Sequence, residues 1–217
     1  MKMREELNTL LELLGPIYDK SDTKKICEKE RQKWGYSLVT SAMERSAPLI
    51  LGFNWGANQK EIYQNQKSVD LANFEKEDVG SLKRIFPFIR SYFGEEYLSK
   101  VSQSNYCFFR SKTEAEISPA DIERCKPIFD KLVEILEPSA ILCFSSKLRK
   151  YLIESNQVLD LKERAIKFGR GSRDIEFVAA HGTFASGVGI RLLPHPNYPL
   201  KRDARAAAWQ FCCAKGT

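Results

Sequence analysis

Along the chain, short apolar runs alternate with longer stretches whose apolar residues recur every three or four positions, the pattern of strands buried between helices. Leu7, Leu10, Leu11 and Leu14 mark a first helix, which Gly15-Pro16 is expected to stop. A second helical stretch spans roughly 22–45 around Ile26, Cys27 and Trp34, with Gly35 as an interruption. In APLILGFNWGAN the period changes: Leu49, Ile50, Leu51 and Phe53 predict a buried strand that opens into a loop at Gly52, Asn54 and Gly56. Residues 58–80 read as a polar surface segment with isolated aromatics, followed by a helix over Leu82, Ile85, Phe86, Ile89 and Phe93 that Pro87 bends.

SNYCFFRS at 104–111 predicts a second strand. Ser118 then caps a helix that has Pro119 in its first turn, Asp121 near its positive end, and Ile122, Cys125, Phe129, Leu132 and Leu136 as its apolar stripe. Glu137-Pro138 ends it. AILCFSS at 140–146 is a third strand, with a helix from about Lys147. KERAIKFGRGSRD at 162–174 reads as a solvated, basic connection without the spacing of a P-loop. IEFVAAHG at 175–182 gives a fourth strand, GIRLLPHPN at 189–197 a fifth or the approach to a loop, and Lys201–Cys213 a terminal helix. The expected fold is one α/β domain over 1–217: a three-layer α/β/α sandwich with a central, mainly parallel four- or five-stranded sheet. Residues 1–46 form a helical segment packed upon it.

Composition narrows the chemistry. Hydrophobic residues are 43% and charged residues 29% of 217, which excludes a disordered or collagen-like chain. The net charge of +6 is uneven: residues 1–138 hold 21 Lys/Arg against 22 Asp/Glu, whereas 139–217 hold 13 against 6. A phosphate backbone is a natural partner for such a surface, although a basic face also serves solubility. Six cysteines without CxxC spacing and only two histidines supply neither a disulfide framework nor the usual zinc or iron–sulfur ligands. No metal or other cofactor is expected. No apolar run is long enough to cross a bilayer and the first residues do not read as a secretion signal, so the expected location is intracellular, cytoplasmic in a prokaryote, and the expected state a monomer.

In an open α/β sheet, ligands bind beyond the carboxyl ends of the strands. Three polar segments have that address: the loop through Asn54, Asn105, and Pro194-His195-Pro196-Asn197. Other constellations are poorer. His181 at a strand end is a possible base, Ser145-Ser146 lacks a nucleophile elbow, and Cys212-Cys213 has no histidine beside it in sequence.

LGFNWGA at 51–57, SNYCFF at 104–109 and LLPHPN at 192–197 together resemble the uracil-DNA glycosylase superfamily, nearest in style to its mismatch-specific and single-strand-selective branches. Trp55 stands where the family's first motif has Pro, and Asn197 where its last has Ser. The resemblance implies hydrolysis of the N-glycosidic bond of uracil or another modified base in DNA. It implies that Asn54 positions the water, that His195 stabilises charge on the leaving base, and that Asn105 recognises the base. Phe53, Trp55 and Asn197 are further base-binding candidates, with Tyr63 and Phe74 as other stacking platforms. Arg170, Arg173, Lys201, Arg202 and Arg205 are the candidates for DNA phosphates. Read from the residues alone, Asn54 also suits a tight turn, and Pro194-His195-Pro196 a rigid surface turn. Two other functions fit the same crevice: a nucleic-acid-binding protein with little or no catalysis, and a small-molecule nucleotide hydrolase.

Overall fold

Alternation within very short strands builds the two cores. The computed structural model describes residues 2–39, 43–57, 65–67, 69, 80–170 and 173–214. In β1 (Leu49–Gly52), Leu49 and Leu51 enter one apolar cluster and Ile50 the other; in β5 (Ile141–Cys143), Ile141 and Cys143 separate from Leu142 in the same way. Strands buried on both faces need no polar side, which is why they read as continuous apolar runs.

β1 lies between β3 (Ser102–Asn105) and β5, parallel to both, and β8 (Gly189–Leu192) runs parallel to β5. A long antiparallel hairpin of β6 (Val158–Arg170) and β7 (Arg173–Phe184) adds to the β8 edge, giving the order β3-β1-β5-β8-β7-β6. Among the described residues the sheet thus has six strands rather than four or five. The additional one is β6, which was expected as a solvated connection. Asp160, Lys162, Glu163, Arg164 and Lys167 face water, and of its described side chains only Ile166 and Phe168 are buried. A second, two-stranded parallel sheet joins β2 (Trp55–Gly56) to β4 (Arg110–Ser111). The strand expected over 104–111 therefore divides between two sheets, with buried Tyr106–Phe109 between them.

Helices cover both faces of the main sheet. On one side lie α1 (Lys2–Asp19), α2 (Asp22–Lys29), α4 (Pro119–Leu136) and α5 (Ser146–Glu154); on the other lie α3 (Phe86–Phe93) and α6 (Arg202–Cys213). Contrary to expectation, α1 continues through Gly15-Pro16. A proline inside a helix costs about 3 kcal/mol, but the extra turn buries Tyr18, whose ring meets Tyr36 and Phe109 at 5.5 and 5.3 Å. Gly15 also leaves room for Tyr36, since a Cβ there would stand 3.2 Å from its hydroxyl. Within the expected 22–45 helix only eight of the described residues are helical, ending before Arg31 at φ 55°. Pro87 does not bend a continuous helix. It sits in the first turn of α3, behind a 3-10 segment at Gly80–Ile85.

The starts of α2 and α4 are tied together by the buried carboxylate of Asp121, which accepts from the Asp22 and Thr23 amides (3.0 and 2.8 Å), Thr23 Oγ1 (2.7 Å) and Arg124 (2.8 Å). Asp121→Ala leaves these donors facing a void. It is expected to cost about 3 kcal/mol, measured as a lower urea midpoint with an unchanged m-value.

The four parallel strands all end on the same side, and the chain passes from β1 outward to β3 and then from β3 back across β1 to β5. The carboxyl ends of β1 and β5, between which the direction of the connections reverses, therefore form a topological switch point. Among the described residues, no helix is long and apolar enough to cross a membrane.

Candidate functional site

Asn54 follows β1 at once, and its orientation is fixed by a chain of donors. Its Nδ2 donates to Trp55 O (3.0 Å) and to Ser111 Oγ (2.7 Å). Ser111 Oγ uses its own proton on Thr113 O (2.7 Å), so it can only accept from Asn54, and the amide has one orientation. With both amide hydrogens engaged, Oδ1 is the polar atom of the Asn54 side chain left without a partner among the described residues.

Asn105 closes β3 directly across from Gly52. A Cβ on Gly52 would lie 2.0 Å from Asn105 Oδ1, so the carboxamide fills the space that glycine leaves. Asn105 is 5% exposed, yet its carboxamide has no hydrogen-bond partner among the described residues. Its two donors and its acceptor are thereby left without partners among the described residues.

The ends of β5 and β8 join this group through Lys147 and Glu114. Lys147, in the first turn of α5, holds its ammonium 4.4 Å from the centroid of the Phe53 ring and donates to the Glu114 carbonyl. Glu114, in the short turn Glu114–Glu116, is near enough to act on the charge of His195. Two strand spacings separate β1 from β8, so the roots of the Asn54 and His195 loops stand about 10 Å apart.

His195 lies in a turn closed by Tyr198 N–H on His195 O (2.8 Å). Asn197 N–H donates to His195 Nδ1 (3.1 Å), which makes Nδ1 the acceptor and puts the proton of the neutral ring on Nε2. Desolvation of the ring holds its pKa below the ordinary value, opposed by Glu114 and reinforced by Arg205. The site therefore keeps a neutral donor at neutral pH. His181, the other imidazole, packs 5.1 Å from Phe211, and burial, Arg191 and Lys162 lower its pKa.

Arg205 holds the turn from beneath. It is 7% exposed and its guanidinium donates to the carbonyls of Pro194, His195, Pro196 and Tyr198 at 3.4, 3.2, 3.2 and 2.8 Å. Burial and the nearby Arg84 lower its pKa. Arg205 was expected on DNA phosphates, but it faces inward, because four main-chain carbonyls converge where a guanidinium fork fits.

The remaining expectations divide. Asn54, Asn105 and His195 gather at one end of the sheet. Phe53 and Trp55, expected as platforms for a base, are core rings at 2% and 7% exposure. Trp55 turns to Ser37 O and lies 5.8 Å from the Arg110 guanidinium. The Asn197 side chain accepts from Arg84 (3.2 Å), so its link to the imidazole is the backbone N–H. Lys201 and Arg202 are exposed at the start of α6. Arg170 and Arg173 form the last pair of the β6–β7 ladder. Because β8 ends against Ala180, that hairpin runs about 20 Å beyond the carboxyl edge of the sheet. Tyr63 and Phe74 lie outside the described residues. Ser145 caps α5 by accepting from Leu148 N–H, and burial raises the thiols of Cys212 and Cys213 to about 12, which leaves them protonated. Among the described residues no three His, Cys, Asp or Glu gather as a metal site.

Sequence reasoning missed Ser111, Glu114 and Lys147. Ser111 and Lys147 carry a readable signal, since both are polar residues at or just past the ends of expected strands. Comparison with protein-family models and with curated proteins gives no match to this chain.

Proposed function

We propose that this protein is a DNA glycosylase that hydrolyses the bond between deoxyribose and uracil or another modified base. The observation that carries the reading is Asn105, an almost buried carboxamide with no partner among the described residues, beside the end of β1 and at the same end of the sheet as Asn54 and His195. An unpaired base entering this crevice meets both donor and acceptor on Asn105. As the C1′–N bond breaks, its electron pair moves onto the base, and His195 Nε2–H donates to the oxygen where negative charge grows. Asn54 Oδ1 accepts one hydrogen of a water and aims its oxygen at C1′. The new C1′–O bond completes the sugar, and the water's other proton ends on the departing base. An amide cannot take up that proton itself, so the chemistry suits a base that leaves readily.

The test is product analysis with single-stranded and duplex oligonucleotides carrying uracil, deaminated purines or oxidised pyrimidines. Free base and an alkali-labile strand are expected; binding with no base released defeats the reading. Asn54→Ala is expected to slow single-turnover release by about tenfold while leaving strand affinity unchanged. The pH profile supplies an independent check. With the His195 pKa lowered, the neutral ring predominates at and above pH 7. Release should therefore be flat there and fall on acidification, with a midpoint below 6.5, as protonation of Nδ1 opposes the Asn197 N–H. A rate that rises toward acid would overturn the neutral-donor role.

A further inference from the structure

We propose that the cavity between α3, the 196–200 turn and the start of α6 is a nucleotide subsite that seats the phosphate, sugar and base next to the extracted nucleoside, in an unpaired strand. The identity of that strand as DNA rests on the glycosylase reading; the subsite itself rests on the following geometry. The cavity is about 690 Å³, within the range of nucleotide-sized pockets. Arg84, Arg202 and Arg205 line it, and among the described residues no Asp or Glu does. Arg205 is committed to four carbonyls, but its charge stays in the wall. Arg84 bonds to Pro196 O and Asn197 Oδ1 through Nη1 alone, and Arg202 has no hydrogen-bond or ion-pair partner among the described residues. Two guanidinium groups thus keep donors for one anion, and the mutual repulsion of Arg84 and Arg205 is relieved when an anion enters.

Phosphate alone does not account for the rest of the lining. Phe88, stacked on Trp209 at 5.1 Å, and the half-open ring of Tyr198 add flat apolar walls, and stacking on such rings accepts any base. The turn that carries His195 forms one side of this cavity, so its occupant is a neighbour along the same strand. A base held in a duplex cannot reach these rings without unpairing. The site therefore favours single strands.

Fluorescence anisotropy with an undamaged strand of about 12 nucleotides tests this without catalysis. The single strand should bind more tightly than its duplex, and Arg84→Gln/Arg202→Gln should weaken it by about tenfold or more. The slope of log affinity against log salt should become shallower by about 0.7 for each phosphate that is no longer neutralised. Arg84→Lys/Arg202→Lys should restore most of the slope but not the full affinity, and a strand with neutral methylphosphonate linkages should lose its sensitivity to the Gln changes. Free deoxynucleoside monophosphate should compete weakly; competition as strong as the strand's would assign the cavity to free nucleotides and overturn the proposal. Unchanged affinity and salt slope in the Gln variant, or tighter duplex binding, would overturn it too. Arginine-dependent strand binding with no base ever released would remove the glycosylase reading and leave the subsite. Base release indifferent to both arginines would do the reverse.

Discussion

Arg205→Met is expected to destabilise the protein by about 3 kcal/mol and, in the same variant, to lower base release by about a hundredfold. Methionine matches much of the volume but leaves the carbonyls of Pro194, His195, Pro196 and Tyr198 without their common donor. The loss of stability is read from the denaturant midpoint and the loss of release from single-turnover rates on folded protein. Arg205→Lys should fall between the two, because one ammonium cannot span four carbonyls in a plane. A variant that keeps wild-type stability and wild-type release would show that the turn holds its shape unaided.

Gly52→Ala separates function from stability. The new Cβ would fall 2.0 Å from Asn105 Oδ1, the end of a side chain that no other described residue holds by hydrogen bonds. The carboxamide is expected to swing aside at a cost of about 1 kcal/mol, while base release drops by about a hundredfold as recognition fails. Affinity for an undamaged strand should stay near that of wild type, since the phosphates are held elsewhere. If release survives with the methyl group in place, Asn105 is not the group that reads the base.

Much of the architecture was legible because burial on both faces leaves a plain signature. The runs at 49–51 and 141–143 are strands for the reason their composition suggests, and Ser118-Pro119 opens α4 as a cap followed by proline should. The errors have local causes. Gly15-Pro16 reads as a breaker because the aromatic contacts of Tyr18, which carry the helix onward, exist only in the folded chain. At 162–170 the charges masked a strand that shows two inward residues to α6 and polar ones to water. In the candidate site, Asn54 and His195 follow runs that read as strands, whereas Asn105 reads as part of the 104–111 run and closes β3 only because that strand begins and ends earlier than its apolar residues suggest. The inward turn of Arg205 was not legible, since an arginine one turn into a helix reads as surface until the carbonyls above it are placed. Phe53 and Trp55 were misjudged for the opposite reason: an aromatic beside a polar loop residue fits a core as well as a pocket.

The brevity of β1, β3 and β5, three or four residues each, has a consequence for descent. One residue inserted in β1 would rotate Asn54 to the opposite face and bring Phe53 into its place, with no length of strand to absorb the slip. Divergent copies of this chain should therefore gain and lose residues in the connections between strands and keep strand lengths fixed to the residue.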